Sequence, residues 1–468
     1  MSLKRVIVPC VLVVFLLLAG NALVCAQNNN NNNQNQTPYN NYSGVMIDAK
    51  GLLRRAMELD YSRLSQQQLL AARQSALQLP ADVRKQSDLR YVSLNRLEQR
   101  LIETNGVLTE EIRYLAGIQR IKYVFFYPET KDIVIAGPAE GWFTSYEGVT
   151  VGMTSGRPVC ELQDLVVALR AYAPNAKDVP VVGCSIDPTE EGNARLQQFI
   201  KNFGRFGGEN PQRRDAFVAG LRENLGLQTI RVDGIPANTH AAMVMVAADY
   251  RMKLIGIGVE QPPVPITSFI SVADPSRVAK NALFRWFFVP DYQSVVLTED
   301  KTGMEMVGNG VKLVAEDEIV SATGQRSVKS GRTDKASQTF TNSFTKMYPQ
   351  LAQKSLVYGQ LRNFIDMLVA AAYIDKYDIH RQAEWKMEFL GDESKFAVQT
   401  YNTPTEVAPI VNGAMRGGLF MAPIGGGVEI EADVALKPEN VKFETKGAVS
   451  SVKNNAKLDL APGQWWWD

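Results

Sequence analysis

Residues 181–190 read VVGCSIDPTE, and residues 229–240 read TIRVDGIPANTH. Each is a short apolar, β-branched run that ends at an acid and a turn former, and a helical pattern follows each. In the first, Val181–Ile186 is a buried strand and Asp187-Pro188-Thr189-Glu190 opens a helix. Asp187 can cap it, Pro188 suits the first helical position, and Glu190 sits where a capping box places its acid. Leu196, Phe199, Ile200 and Phe203 give that helix its buried face. A second helix, about Pro211–Leu225, leads to the strand Thr229–Val232. Asn238 then caps a helix running to about Met252, and Leu254–Ile257 reads as the next strand. Thr229–Ile257 has the length of one βαβ unit, which makes its two strands parallel. The same strand-then-turn grammar recurs at Ile266–Ser271 followed by Asp274-Pro275.

Upstream, residues 45–118 read as helical. Leu52, Leu53, Ala56 and Met57 share a face, Ser93 precedes Leu94, Leu97 and Leu101 at helical spacing, and Thr109 can cap a turn led by Glu110 and Glu111. The period then becomes two: Ile121–Tyr127 and Ile133–Ala136, joined by Pro128–Asp132, form a hairpin. Downstream, Phe284–Val289, Ser294–Leu297, Met304–Val307 and Val311–Val314 read as an antiparallel meander, with Asn309-Gly310 as a hairpin turn. Two helices follow, one carrying Phe340, Phe344 and Leu351, the other Leu361, Phe364 and Leu368. The fold class is therefore mixed, α/β or α+β. It comprises a helical N-terminal region, central strand–helix units with at least one parallel βαβ, an antiparallel meander and a C-terminal helix pair.

The organisation expected is a leader at 1–26, a spacer at 27–44, a helical region at 45–118, a mixed domain at 119–440 and a polar tail at 441–468. Lys4 and Arg5 precede an apolar run from Val6 to Ala19 and small residues ending at Ala26, the order of a secretory signal. A retained anchor is the alternative, because Val6–Ala26 can just span a bilayer. With the leader removed, no later stretch is long and apolar enough to cross a membrane. Residues 27–44, QNNNNNNQNQTPYNNYSG, cannot bury apolar surface and read as a disordered spacer. Residues 261–265 read as a hinge and 324–335 as a mobile loop. The tail ends in Trp465-Trp466-Trp467-Asp468, a cluster suited to docking on the chain's own core, on a sugar polymer or at a lipid interface.

Among 468 residues, 50 are Lys or Arg and 49 Asp or Glu, so no global field favours nucleic acid. The chain lacks a G-x-S-x-G elbow, an H-E-x-x-H zinc helix and a P-loop. With only His240 and His380, a metal site of three histidines is ruled out, and no cofactor is indicated. Of four cysteines, Cys160 and Cys184 remain after leader cleavage; they either bridge or stay as two buried thiols.

Asp187, Asp233 and Asp274 each end an expected strand. If those strands are parallel, the three acids line one carboxyl edge with His240, where Ser185 or Cys184 could serve as nucleophile. The plainer reading makes the acids helix caps. Glu140 beside Trp142 matches an acid next to an aromatic platform for sugars, or simply a tight turn with a packed Trp. Asp249 and Arg251 are too close along a helix to face each other; Arg251 or Lys253 pairs elsewhere, and a structural ion pair is the default reading. Gly425-Gly426-Gly427 reads as a turn or bulge.

Several strings carry a resemblance. They are 127–129 (YPE) leading to 133–142 (IVIAGPAEGW), 184–189 (CSIDPT), 248–253 (ADYRMK) and 358–363 (YGQLRN). Together they resemble an uncharacterised family of exported bacterial proteins carrying a domain of unknown function, over about Ile118 to Ile430. The resemblance implies export and one large domain; it implies no activity, cofactor or catalytic residue. Two functions stay open: a non-catalytic binding or structural module of the cell envelope, whose partner is an envelope component or polymer, and an envelope hydrolase centred on Asp187, Asp233 and His240.

Overall fold

The structure is a computed structural model. It describes residues 40–42, 45–48, 50–55, 70, 74, 78–145, 147–174, 181–203, 210–274, 282–323, 325–328, 334–416, 419–421 and 424–468. The leader, most of the spacer, Pro275 and half of the 324–335 loop lie outside these residues. Tyr39–Asp468 is a single compact unit.

The fold is mixed, with parallel and antiparallel strands in two large sheets; two further two-stranded sheets pair Asn412–Arg416 with Leu419–Met421 and Trp142–Thr144 with Thr150–Gly152. The larger runs in the order Asn40–Tyr42, Val45–Ile47, Leu52–Arg55, Glu406–Val407, Gln228–Asp233, Val182–Pro188, Ile424–Ile430, Ala282–Asp291, Glu318–Val320, Arg326–Val328. Gly310–Ala315 also pairs with Ala282–Asp291. The smaller runs Val441–Phe443, Ser294–Leu297, Gly303–Val307, Tyr123–Tyr127, Asp132–Ala139, Ser87–Ser93, Trp466–Trp467. Alternation in its central hairpin is strict. Val124 and Phe126 join the main core, while Tyr123, Phe125 and Tyr127 build a second cluster on the opposite face.

Two long helices occupy the interior. His240–Gly256 lies on Val182–Pro188 and Ile424–Ile430 and beside Leu356–Lys376. Both are buried on every side, which explains why they are apolar around the whole circumference. Lys335–Lys354 packs on Gly310–Ala315 and completes the expected C-terminal pair.

Several expectations change. Val182–Pro188 and Gln228–Asp233 are antiparallel neighbours, with Asp187 opposite Thr229 and Asp233 opposite Gly183. The two helices between them, Glu190–Phe203 and Pro211–Leu225, pack on each other through Phe199, Phe203 and Phe217. An out-and-back helix pair returns the chain to the end it left, so the next strand runs the opposite way. Leu254–Gly256 continues the His240 helix, so no parallel unit forms over Thr229–Ile257. Parallel neighbours connected through helices occur instead at Ala282–Asp291 and Ile424–Ile430.

The meander is really two nested hairpins. Ser294–Leu297 pairs with Gly303–Val307 in the small sheet, and Ala282–Asp291 with Gly310–Ala315 in the large one. Gly308 and Gly310, at φ 112° and 84°, carry the chain between sheets, so Asn309-Gly310 is a crossover and not a hairpin turn. Region 45–118 contains strands at Val45–Ile47, Leu52–Arg55 and Ser87–Ser93 as well as helices. Phe269–Val272 is a short helix where a strand was expected. Gly425-Gly426-Gly427 lies within a strand. A Cβ on Gly427 would sit 1.8 Å from the Cys184 carbonyl oxygen, and Gly426 has φ 110° against the Trp286 backbone.

The C-terminal tail docks on the chain itself. Trp467 pairs with Tyr91 and stacks on it at 5.4 Å and 6°. Arg90, fully buried, bonds Asp468 at 2.8 Å, donates to the Ala116 and Val83 carbonyls and lies 4.6 Å from the Trp466 ring centroid. A groove of about 560 Å³ follows the tail, but the Trp465 and Trp467 rings face inward.

Candidate functional site: a histidine between two carboxylates

Thr239 caps the first central helix: its Oγ accepts from the Ala242 N–H at 3.3 Å. The cap lies one residue beyond Asn238, whose carbonyl instead accepts from Tyr401 N–H at 2.8 Å and so brings Tyr401 to the helix start. His240 is therefore the first helical residue, 8% exposed. Facing it is the start of Leu162–Ala171, with Glu161 at the cap and Asp164 in the first turn, where a helix dipole favours acids.

The His240 Nδ1–H donates to Asp164 at 2.8 Å to Oδ2 and 3.0 Å to Oδ1. This contact fixes the ring and directs Nε2 toward Glu161 Oε1 at 4.0 Å, with the Gln360 side-chain amide 3.3 Å from it. Gln163 Nε2 donates to Glu161 at 2.6 Å and to the Tyr401 hydroxyl at 3.2 Å. Burial pulls the His240 pKa down, but Asp164, then Glu161 and the Asp164 hydrogen bond, outweigh it and hold it at about 9. Burial pushes the Glu161 carboxyl above its ordinary value, against the pull of His240 and with the charge of Asp164 adding to it. A cavity of about 250 Å³ opens beside this group, walled also by Arg113, Tyr114, Glu147 and Gln399.

Chemically, this is a cation clamped between two acids and ringed by amides and phenols. At neutral pH the imidazolium already holds its proton, so His240 is a donor and not a general base. No Ser, Cys or Thr hydroxyl or thiol is recorded in a hydrogen bond to its Nε2 among the described residues, so the nucleophile–base pair of a hydrolytic triad is not assembled here. No group of three or more His, Cys, Asp or Glu side chains among them is placed to hold a metal ion.

The remaining candidates do not join this site. Asp187 stays in its strand, and Thr189 caps the following helix by accepting from Gly192 N–H at 3.0 Å. The Asp187 carboxylate accepts from Arg285 at 3.1 Å and Gly426 N–H at 3.3 Å, with Arg326 3.3 Å away. Burial raises its pKa, but Arg285, Lys253 and Arg326 together hold it below the usual value. Asp233 is exposed at the other end of the antiparallel pair; four residues of strand separate the two acids by roughly 13 Å, so they share no edge. Ser185 faces neither acid across the ladder, lying opposite Arg231 and Gly427. Asp274 is exposed beyond Phe269–Val272.

Glu140 is buried and organises a turn. It accepts from the Thr154 and Ser155 N–H groups at 3.0 and 2.9 Å and from the Ser155 hydroxyl and the Gln119 amide; the Ser155 hydroxyl first, then the other hydrogen bonds, overcome burial and hold its pKa low. Trp142 is 3% exposed and packs against Tyr114, so neither residue offers a platform. Cys160 and Cys184 are two buried free thiols. Lys253 pairs with Asp249 at 2.8 Å, and Arg251 with Glu260 at 2.7 Å.

Asp164, Glu161, Gln360 and Tyr401 carry no motif that marks them. The one available signal is acids at i and i+3 opening an otherwise apolar helix, whose buried face then includes Asp164. Residues 184–269 match the model of a family described as a protein of unknown function (DUF1598), a stretch that includes His240 but neither Asp164 nor Gln360. No curated protein and no solved structure matches the chain.

Proposed function

We propose that this chain is an exported, envelope-associated binding protein that seats one small polar unit of an envelope glycan in the His240 cavity. The observation that carries this reading is the cavity's lining. Imidazolium and amide donors, carboxylate acceptors and the rings of Tyr114 and Tyr401 surround about 250 Å³, room for one ring-sized unit. Hydroxyl-rich ligands need convergent donors and acceptors together with an aromatic face. Export rests on the charged, apolar and small-residue order of residues 1–26.

The test is calorimetric titration with neutral hexose and N-acetylhexosamine oligosaccharides. Saturable binding should weaken at least tenfold in Asp164→Asn and Gln360→Ala and stay unchanged in Asp187→Ala. Recovering the sugars intact supports binding without chemistry, whereas shortened products would favour the hydrolase. Absence of any saturable binding refutes the assignment. Cell fractionation with sequencing of the mature N-terminus tests export separately, and an intact leader on a cytosolic product refutes that part.

A further inference from the structure

Arg362 and Asp366 lie one turn apart on the second central helix, the spacing of a helical ion pair. They do not form one. Both Asp366 oxygens are taken by other groups: Arg120 Nε donates at 2.7 Å and Nη2 at 3.4 Å, and the Tyr292 hydroxyl donates at 2.7 Å. Asp366 itself is fully buried. Arg362, 7% exposed, has no hydrogen bond or ion pair to any described residue, and its Nε is sealed from solvent without an acceptor.

The surroundings add positive charge. The positive charges of Arg120 and Arg157 act on the Arg362 guanidinium, opposed by Asp366 and Tyr348. Burial, Arg120 and Arg157 together press its pKa below the ordinary arginine value, in spite of Asp366. Two segments hold the side chain in place. A Cβ on Gly310 would lie 3.4 Å from Arg362 Cγ and 3.4 Å from Arg120 Nη2, and the neighbouring Asn363 anchors to the Pro158 carbonyl at 3.2 Å. Arg120 and Arg157 are only half-buried, so the cluster meets solvent on their side.

Arg362 and Arg120 thus lie beside one carboxylate that Arg120 and Tyr292 already saturate, with the charge of Arg157 acting on Arg362 as well. Withdrawing an unpaired guanidinium from water is costly, and a chain with no use for it loses little by placing an apolar residue there. We infer that Arg362, Arg120 and Arg157 form a binding site for a small oxyanion, a carboxylate or phosphate group. It is separate from the His240 cavity: Gln360 and Arg362 are two residues apart and face different sides of the helix.

The experiment is thermal unfolding of the full chain in inorganic phosphate, acetate, or sodium chloride at matched ionic strength. Phosphate or acetate should raise Tm to a plateau that chloride does not reproduce. A phosphate-only response assigns a phosphoryl ligand, and an equal acetate response assigns a carboxylate. Arg362→Met should lose the plateau while matching or exceeding the wild-type Tm in anion-free buffer. Arg157→Gln, at the solvent side, should need about tenfold more anion for the same shift. An identical response to chloride, or a plateau retained in Arg362→Met, overturns the site. If Arg362→Met does not fold, an unchanged anion response in Arg157→Gln overturns it.

Discussion

The His240–Asp164 contact makes the sharpest demand on experiment. In the folded chain His240 titrates at about 9, against 6.5 for an ordinary histidine. At about 1.4 kcal/mol per pKa unit, that gap is worth about 3 kcal/mol of folding free energy, with little solvent screening because the ring is buried. The sign follows from the raised pKa. Native protein holds the proton more tightly than unfolded chain, so the contribution is complete below about pH 6.5 and disappears as pH rises through 9. Asp164→Asn removes the larger of the two carboxylate interactions. In urea unfolding it should cost about 3 kcal/mol near pH 6, shrinking near pH 10 to about 1 kcal/mol, the value of one neutral hydrogen bond. The chain has only two histidines, so proton NMR gives two C2–H titration curves, and the variant identifies which belongs to His240. A wild-type His240 titrating at or below 6.5, or a stability gap that widens with pH, would refute the reasoning.

Three further substitutions probe the scaffold. Glu98 accepts from the Trp385 indole and from the Phe389 and Leu390 N–H groups, all within a buried turn; Glu98→Ala orphans these donors and should cost about 3 kcal/mol in chemical denaturation. Trp467→Ala removes a 5%-exposed ring stacked on Tyr91 and should lower stability by about 3–5 kcal/mol, measurable as a fall in Tm. Gly256→Ala would ordinarily strengthen a helix by about 1 kcal/mol. Here the new Cβ would meet the Trp286 ring at 2.3 Å, so the variant should be destabilised, and a higher Tm would contradict the packing described.

What could be read from the chain was whatever has a local cause. The Tyr123–Tyr127 hairpin followed from alternation, and the caps at Ser93 and Thr109 from residue type: their hydroxyls accept from Arg96 and Ile112 N–H, each at 3.3 Å. Strand direction did not follow, because it depends on whether Glu190–Phe203 and Pro211–Leu225 pack on each other, a contact between distant aromatic rings. Leu254–Ile257 was misread because a helix buried on every side shows no period, and an apolar run within it looks like a strand. At the site, His240 stood out as one of two histidines, but Asp164 lies 76 residues away and no local pattern joins them.

On the two central helices the proposed ligand seats differ from the structural ion pairs in how their charge is met. A charge inside an apolar helix bundle is tolerated when an opposite charge meets it, and most here are met in that way: Asp249 by Lys253, Asp366 by Arg120, Glu260 by Arg251. Two places break the balance. His240 faces one carboxylate more than it can neutralise, and Arg362 faces none that is free. Asp187 marks the contrast: its several partners leave it no capacity for a ligand, although its sequence context made it the most conspicuous acid. Local charge imbalance next to solvent, and not the mere presence of an ionisable residue at a strand end, is what the two proposed seats have in common.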